Sequence, residues 1–266
     1  MDASLVVSVQ QSDQRLRRLR ASFSRAGLFV FLPVGLDAVE SALSEAGSPA
    51  LGAYLPRVSF AVLIGDGGRA FFEAFEEDRR LRRDLGPVAN PLDDFTERRF
   101  AEILREGLGA GETWRVLFPF VDHQPVLSFQ KLGCAAGLPV PGPLGLQIHP
   151  TYGPWWSFRG LALLSFYDAP IVPSPPSELP ISDSCHACAK PCVHSCPVSA
   201  TTRSGFQAGV CAQHRLFNAR AGIALCATSC GARNSCPVGS EHQYTERQIS
   251  FHMKASLTMI DSFARR

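Results

Sequence analysis

Eight of the nine cysteines in this 266-residue chain crowd into residues 185–236. The run reads Cys185-His-Ala-Cys188-Ala-Lys-Pro-Cys192-Val-His-Ser-Cys196-Pro197, followed by Cys211, Cys226, Cys230 and Cys236-Pro237. Three chemistries use thiols at this density: iron–sulfur clusters, structural zinc and disulfides. Eight is the ligand count of two four-iron clusters. Structural zinc favours paired short spacings, and only Cys185 and Cys188 stand as a CxxC. Disulfides need an oxidising compartment, and the start Met1-Asp-Ala-Ser-Leu-Val-Val lacks the basic and apolar regions of a secretory signal.

Twice a cysteine is followed directly by proline, as where a bacterial ferredoxin run ends. In such a run the last cysteine leaves its neighbours and ligates the other cluster. Carried over, this resemblance puts Cys185, Cys188, Cys192 and Cys236 on one [4Fe–4S] cluster, and Cys196, Cys211, Cys226 and Cys230 on a second. The spacing departs from the ferredoxin one, because Ala189, Lys190 and Pro191 fill a gap that usually holds two residues. The Cys-Pro pairs favour clusters over zinc. His186, His194 and His214 among the cysteines suit hydrogen bonding to clusters, since the thiol count is already sufficient.

The length suits one large or two small domains with a sizeable core, and a 45% hydrophobic content is that of an ordinary globular protein. A net charge of +2 is too small to argue for a nucleic-acid surface. No apolar run reaches the ~18–20 residues of a membrane span. Clustered cysteines without a signal imply a reducing cytoplasm.

The elements that must position the chemistry follow from periodicity. Leu16, Leu19 and Phe23 predict a helix over 12–26, with Arg15, Arg17, Arg18 and Arg20 on a solvated face. Gly27 ends it, 28–33 reads as a strand, and 38–46 as a second helix. The unbroken apolar run 57–65 predicts a strand covered on both faces, closed by a turn at Gly65-Asp66-Gly67-Gly68. That turn carries neither the P-loop nor the dinucleotide fingerprint. Residues 69–108 are helical with a break near Gly86-Pro87 and Asn90-Pro91, and 113–120 is a short strand. Residues 131–145 read as a long irregular loop, 146–150 and 156–165 as paired strands around Tyr152-Gly153-Pro154, and 170–180, with five prolines, as a linker.

Two families resemble the middle of the chain. Pro119-Phe-Val-Asp122-His-Gln-Pro125, followed by Lys131-Leu-Gly133 and the strand pair around Trp156, is similar to epoxyqueuosine reductase. That resemblance implies a modified flavin-nitroreductase core, cobalamin, two [4Fe–4S] clusters and a proton donor at Asp122. Ile148-His149-Pro150, Gly153-Pro154-Trp155-Trp156 and Phe158-Arg159-Gly160 resemble the eukaryotic cobalamin-processing protein of the cblC type, which carries no clusters. This second likeness implies a thiol-substrate contact at Arg159. The chain ends at Arg266, about 30 residues past Cys236, before the helical repeats with which epoxyqueuosine reductases help hold tRNA. tRNA is therefore not the expected substrate.

The residues allow bland roles beside these. Asp122 could cap a strand end, although a desolvated carboxyl there could also donate a proton near neutrality. His123, Gln124, Gln147 and His149 could face a corrin, Trp155 and Trp156 could wall it or fill a core, and Cys134 could be a reactive thiol or a small buried hydrophobe. The expectation is an α+β protein. Residues 1–175 form a nitroreductase-like, cobalamin-binding core, and 176–266 a ferredoxin-like module with two [4Fe–4S] clusters and a C-terminal helix. An external low-potential donor of flavodoxin or ferredoxin type would feed the clusters, with no membrane partner. FMN in place of cobalamin, a non-catalytic cobalamin carrier and a zinc module stand as alternatives, and the oligomeric state is open.

Overall fold

The computed structural model describes residues 3–82, 86, 88–120, 127–165 and 185–264, in two compact units. One comprises Met1–Gly137 with Ser157–Leu179, the other Leu138–Trp156 with Pro180–Arg266. A single boundary at 175/176 was expected, whereas the structure assigns 138–156 to the C-terminal unit. The cause is apolar packing, since Leu144 and Ile148 form a core with Cys192 and Ala232.

In the first unit α1 (Ala3–Arg25) starts well before the expected position 12. Leu19 and Phe23 are buried while Arg17, Arg18 and Arg20 are exposed, so one stripe of the helix drives its docking. Gly27 follows at φ +82°, where a side chain would be strained and would meet the Phe71 backbone at 2.5 Å. Leu28 N–H donates to the Phe23 carbonyl at 3.0 Å and closes the helix.

The next elements are β1 (Val30–Val34), α2 (Leu36–Glu45), α3 (Leu51–Tyr54), β2 (Phe60–Gly67), α4 (Ala70–Leu81), α5 (Pro91–Gly107), β3 (Trp114–Leu117), α6 (Phe129–Ala135) and β4 (Trp156–Leu164). The strands form an antiparallel sheet in the order β1-β2-β4-β3, Val30 lying opposite Gly65 and Trp114 opposite Leu164. Helices with an antiparallel sheet make the unit α+β. Every residue of the inner strand β2 is buried, as its unbroken apolar run implies. Phe71, Phe72 and Phe75 of α4 are buried, and Phe71 and Phe75 meet Phe95 of α5 at centroid distances of 5.2 and 5.8 Å. α5 opens with Pro91 and carries Asp93 and Asp94 in its first turn, where its exposed N–H groups favour negative charge.

Three expectations are corrected. Gly65-Asp66-Gly67 is not a turn: β2 continues through it, and the chain turns only at Gly68, φ +68°. The loop expected at 131–145 begins as helix α6, whose first turn is capped by Ser128 Oγ accepting from Lys131 N. Residues 146–150 and 156–165 do not pair. The first segment bridges His149 to Gly153, and its Leu146 carbonyl accepts from Gly142 N, whereas β4 pairs with β2 and β3.

The second unit is built from short pieces: α7 (Pro191–His194), the hairpin β5 (Thr201–Thr202) and β6 (Gly205–Phe206), α8 (Ala208–Arg220), α9 (Gly231–Asn234) and α10 (Glu246–Ala264). α7 packs on α9, and α8 on α10. Trp155, Tyr244 and Ile249 form a second core against which Met253 packs. Gly153 has φ +56°, and its Cα lies so close to the Val238 carbonyl that a Cβ would stand 1.8 Å from that oxygen. Among the described residues no helix is long and apolar enough to cross a membrane.

Candidate functional site

Short helices and turns of the second unit sort the eight cysteines into two groups. Cys185, Cys188, Cys192 and Cys236 line one cavity, closed by Pro143, Leu144, Ile148, Pro191, Pro237 and Val238. The extra residue of the irregular spacing, Lys190, sits in the left-handed region at φ 57° just before α7. That turn directs Lys190 N–H at Cys188 Sγ, 3.3 Å away. Burial raises the Cys192 thiol, and the neighbouring Cys188 adds to the rise. Burial likewise raises Cys236, with Cys192 and Cys188 adding and the Val238 amide opposing.

The other four come together around α8 and the loop that follows it. Burial pushes the Cys211 thiol up, Arg215 opposes, and the thiols of Cys230, Cys196 and Cys226 push it further. Cys226 is raised by burial and then by Cys230 and Cys196. Burial also raises Cys196, but the amides of Val198, Thr201 and Ala200 and the Thr201 hydroxyl outweigh it and leave the thiol lowered. Cys230 Sγ caps α9, accepting from Arg233 N. Cys226 lies at φ 58° in a loop stapled from two sides: Arg215 Nε donates to its carbonyl at 3.0 Å, and Asn218 Nδ2 to that of Leu225 at 2.7 Å.

No disulfide joins any of the nine cysteines. Among the described residues, no three or more His, Cys, Asp or Glu side chains form a group that could hold a metal ion as they stand. Cys185, Cys188, Cys192 and Cys236 surround an apolar gap, whereas a single structural zinc would draw four thiolates in to ~2.3 Å. Thiols around an apolar gap, with amide N–H groups aimed at sulfur, are donors of the kind an iron–sulfur cage takes.

The residues expected to face a cofactor are placed as follows. Asp122, His123 and Gln124 lie outside the described residues. Cys134 is half-buried on α6 rather than in a loop. Gln147, His149 and Trp156 come together in the second unit: Gln147 Nε2 donates to the Pro139 carbonyl at 3.0 Å, Trp156 Nε1 donates to the Gln147 carbonyl at 2.8 Å, and the His149 and Trp156 ring centroids are 5.7 Å apart. His149 Nδ1 accepts from Thr151 N and Tyr152 N, 3.1 and 3.3 Å away. Burial, and then His242, lower its pKa to about 4. The ring is thus neutral with its proton on Nε2, and it offers a donor where a cobalt ligand would need a lone pair. Trp155, fully buried, is core: Arg233 stacks 4.8 Å from both its ring and that of Tyr244.

Arg159, in the first unit, is 7% exposed and donates from Nη2 to Asp66 Oδ2 at 3.0 Å, its guanidinium 5.4 Å from the Phe71 ring centroid. Burial raises Asp93 close by, with Arg159 opposing. Sequence reasoning missed Asp66, a charged residue ending an apolar run, and Arg215, one helical turn after Cys211 on the same face.

No protein-family model matches the chain, and no curated protein matches it in sequence. Among solved structures it is similar in fold to the C. elegans B12-trafficking protein CblC, a human MMACHC homologue. The TM-score is 0.57 at 18% identity, over 95% of this chain and 96% of that one. Epoxyqueuosine reductases of Streptococcus thermophilus and Bacillus subtilis align at TM-scores of 0.49 and 0.48, with 13% and 14% identity, over 83% and 90% of this chain and 65% and 68% of theirs. The chain thus shares its fold with a protein of the cblC type, which residues 148–160 resemble.

Proposed function

We propose that this chain is an iron–sulfur reductase acting with a bound corrinoid. Two [4Fe–4S] clusters would be held by its C-terminal unit, the first on Cys185, Cys188, Cys192 and Cys236, the second on Cys196, Cys211, Cys226 and Cys230. The sorting of eight thiols into two groups of four carries the reading. Each group joins cysteines distant in sequence, which packing of small hydrophobes alone does not require. Cobalamin is supported by the likeness in fold to a B12-trafficking protein along nearly the whole chain. When bound, the clusters would supply single electrons at low potential, and the corrinoid a cobalt centre able to accept them.

The chain's own residues do the rest. Leu144, Ile148 and Val238 keep water from the first thiol group, and the amides of Lys190, Val198, Ala200, Thr201 and Arg233 offset negative charge on sulfur. His149, fixed as an Nε2 donor, can hydrogen-bond an amide of the corrin rim rather than ligate cobalt. Asp66 holds Arg159 against Phe71, where the guanidinium can meet an anionic substrate group. Asp122 is the proposed proton donor. A flavodoxin- or ferredoxin-type carrier is the proposed source of electrons, and either cobalamin processing or reduction of an organic substrate fits the chemistry.

Anaerobic purification with an iron count, and a visible spectrum before and after cobalamin, tests this. About eight irons per chain are expected, falling to about four in both C192S and C226S, with a corrin spectrum that shifts on mixing. Zinc in place of iron, or iron unchanged in both variants, overturns the cluster assignment. Iron without any corrin change overturns the cobalamin half, and a yellow flavin spectrum puts FMN in its place.

A further inference from the structure

α8 carries a buried arginine that the proposed function has not used. Arg215 is 8% exposed and one turn beyond Cys211. Its guanidinium donates to three neutral acceptors: the Cys226 carbonyl at 3.0 Å, the Met253 carbonyl at 2.8 Å and Ser256 Oγ at 2.9 Å. Among the described residues no carboxylate pairs with it. Neutral acceptors take the Nε and Nη2 hydrogen bonds but leave the charge in a poorly solvated place, which is costly unless an anion lies nearby. Bonded to the Cys226 carbonyl and one turn from Cys211, it acts among the described residues on the thiols of both, opposing their rise.

We propose that Arg215 is the built-in counter-charge of the second cluster, so that the cluster on Cys196, Cys211, Cys226 and Cys230 is reduced first and holds the electron of the one-electron-reduced protein. The inference rests on the two-cluster reading. A cluster on four thiolates is anionic, and each electron makes it more so. A fixed cation in a low-dielectric surround therefore favours the reduced form. The first group has Lys190 acting on Cys192, but that side chain is partly exposed and water screens it. In the step itself, a one-electron reductant such as dithionite is oxidised, the second cluster gains the electron, and no covalent bond changes.

The test is a redox titration of the reconstituted protein followed by electron paramagnetic resonance, in wild type, R215K and R215Q, with C226S identifying which signal belongs to the second cluster. Wild type should show two midpoints, with the signal absent from C226S developing first. R215Q should make reduction of that cluster about tenfold less favourable, a shift of ~59 mV, while R215K stays near wild type because the charge is kept. If R215Q fails to hold its second cluster while R215K keeps it, the counter-charge role also stands. An unmoved potential in R215Q, equal shifts in both variants, or equal iron loss from both overturns the proposal. The last two outcomes make Arg215 a loop staple only. Wild type with fewer than about eight irons fails the cluster reading instead, and the iron count separates that result from the others.

Discussion

Two arginines are buried to the same degree, one in each unit, and they are treated in opposite ways. Arg159 is 7% exposed and meets the carboxylate of Asp66 at 3.0 Å, a partner placed inside the sheet. Arg215 is 8% exposed and is surrounded by carbonyls and a hydroxyl. The first unit balances its buried charge with its own side chains. Among the described residues the second sets no carboxylate against its buried charge, which lies beside the thiols of Cys211 and Cys226, as a unit would if it were completed by an anionic guest. A third buried basic group, His149, avoids the difficulty by staying neutral.

The sharpest way to break this comparison is to remove the carboxylate of the balanced pair. D66N removes the carboxylate hydrogen-bonded to Arg159 and leaves the more distant Asp93 to balance it, and chemical denaturation should show a loss of ~3 kcal/mol. The double variant D66N/R159M should regain much of that, because an apolar replacement of the pair leaves no stranded charge. A double variant no more stable than D66N alone would mean that the cost is one of packing.

His149 sets the next effect. Its folded pKa of about 4 lies below the ordinary 6.5, so the unfolded chain takes up a proton that the folded chain refuses. Stability from this group is complete above pH 6.5, declines as pH falls towards about 4 and is flat below that. The full drop is of order 3 kcal/mol. H149Q should flatten that part of the stability–pH curve, and an unchanged slope would place the titration elsewhere.

A smaller effect separates the two arginines directly. Reconstitution with iron and sulfide should raise the stability of the wild type more than that of R215Q. The difference should be about 1.4 kcal/mol if the charge is worth tenfold in cluster affinity. The same treatment should leave the cost of D66N unchanged. Smallest is S256A, which removes one acceptor from Arg215 and should cost about 1 kcal/mol in thermal or denaturant unfolding without moving either cluster potential.

Legibility in the sequence was uneven for reasons visible in particular residues. The helix over Leu19 and Phe23 and the doubly covered strand β2 were readable because each depends on local periodicity. Helix α6 was not, since glycine-rich composition masked the cap at Ser128 and the buried face of Phe129 and Leu132. The pairing of 146–150 with 156–165 failed because turn residues show that a chain reverses, not which strand it then joins. β4 found better partners in β2 and β3.

The sequence by itself determined the kinds of donors, eight thiols with two Cys-Pro breaks, and the regular elements of the α+β unit other than α3 and α6. Only the tertiary structure decided that 138–156 packs with the cysteine unit, that Asp66 faces Arg159 across the sheet, and that a histidine carries its proton on Nε2. It also placed a guanidinium beside Cys211 and Cys226 with no carboxylate to meet it among the described residues. Local order follows from which residues are neighbours in the chain. Charge balance and burial depend on which residues become neighbours in space, and those contacts form only when the fold is complete.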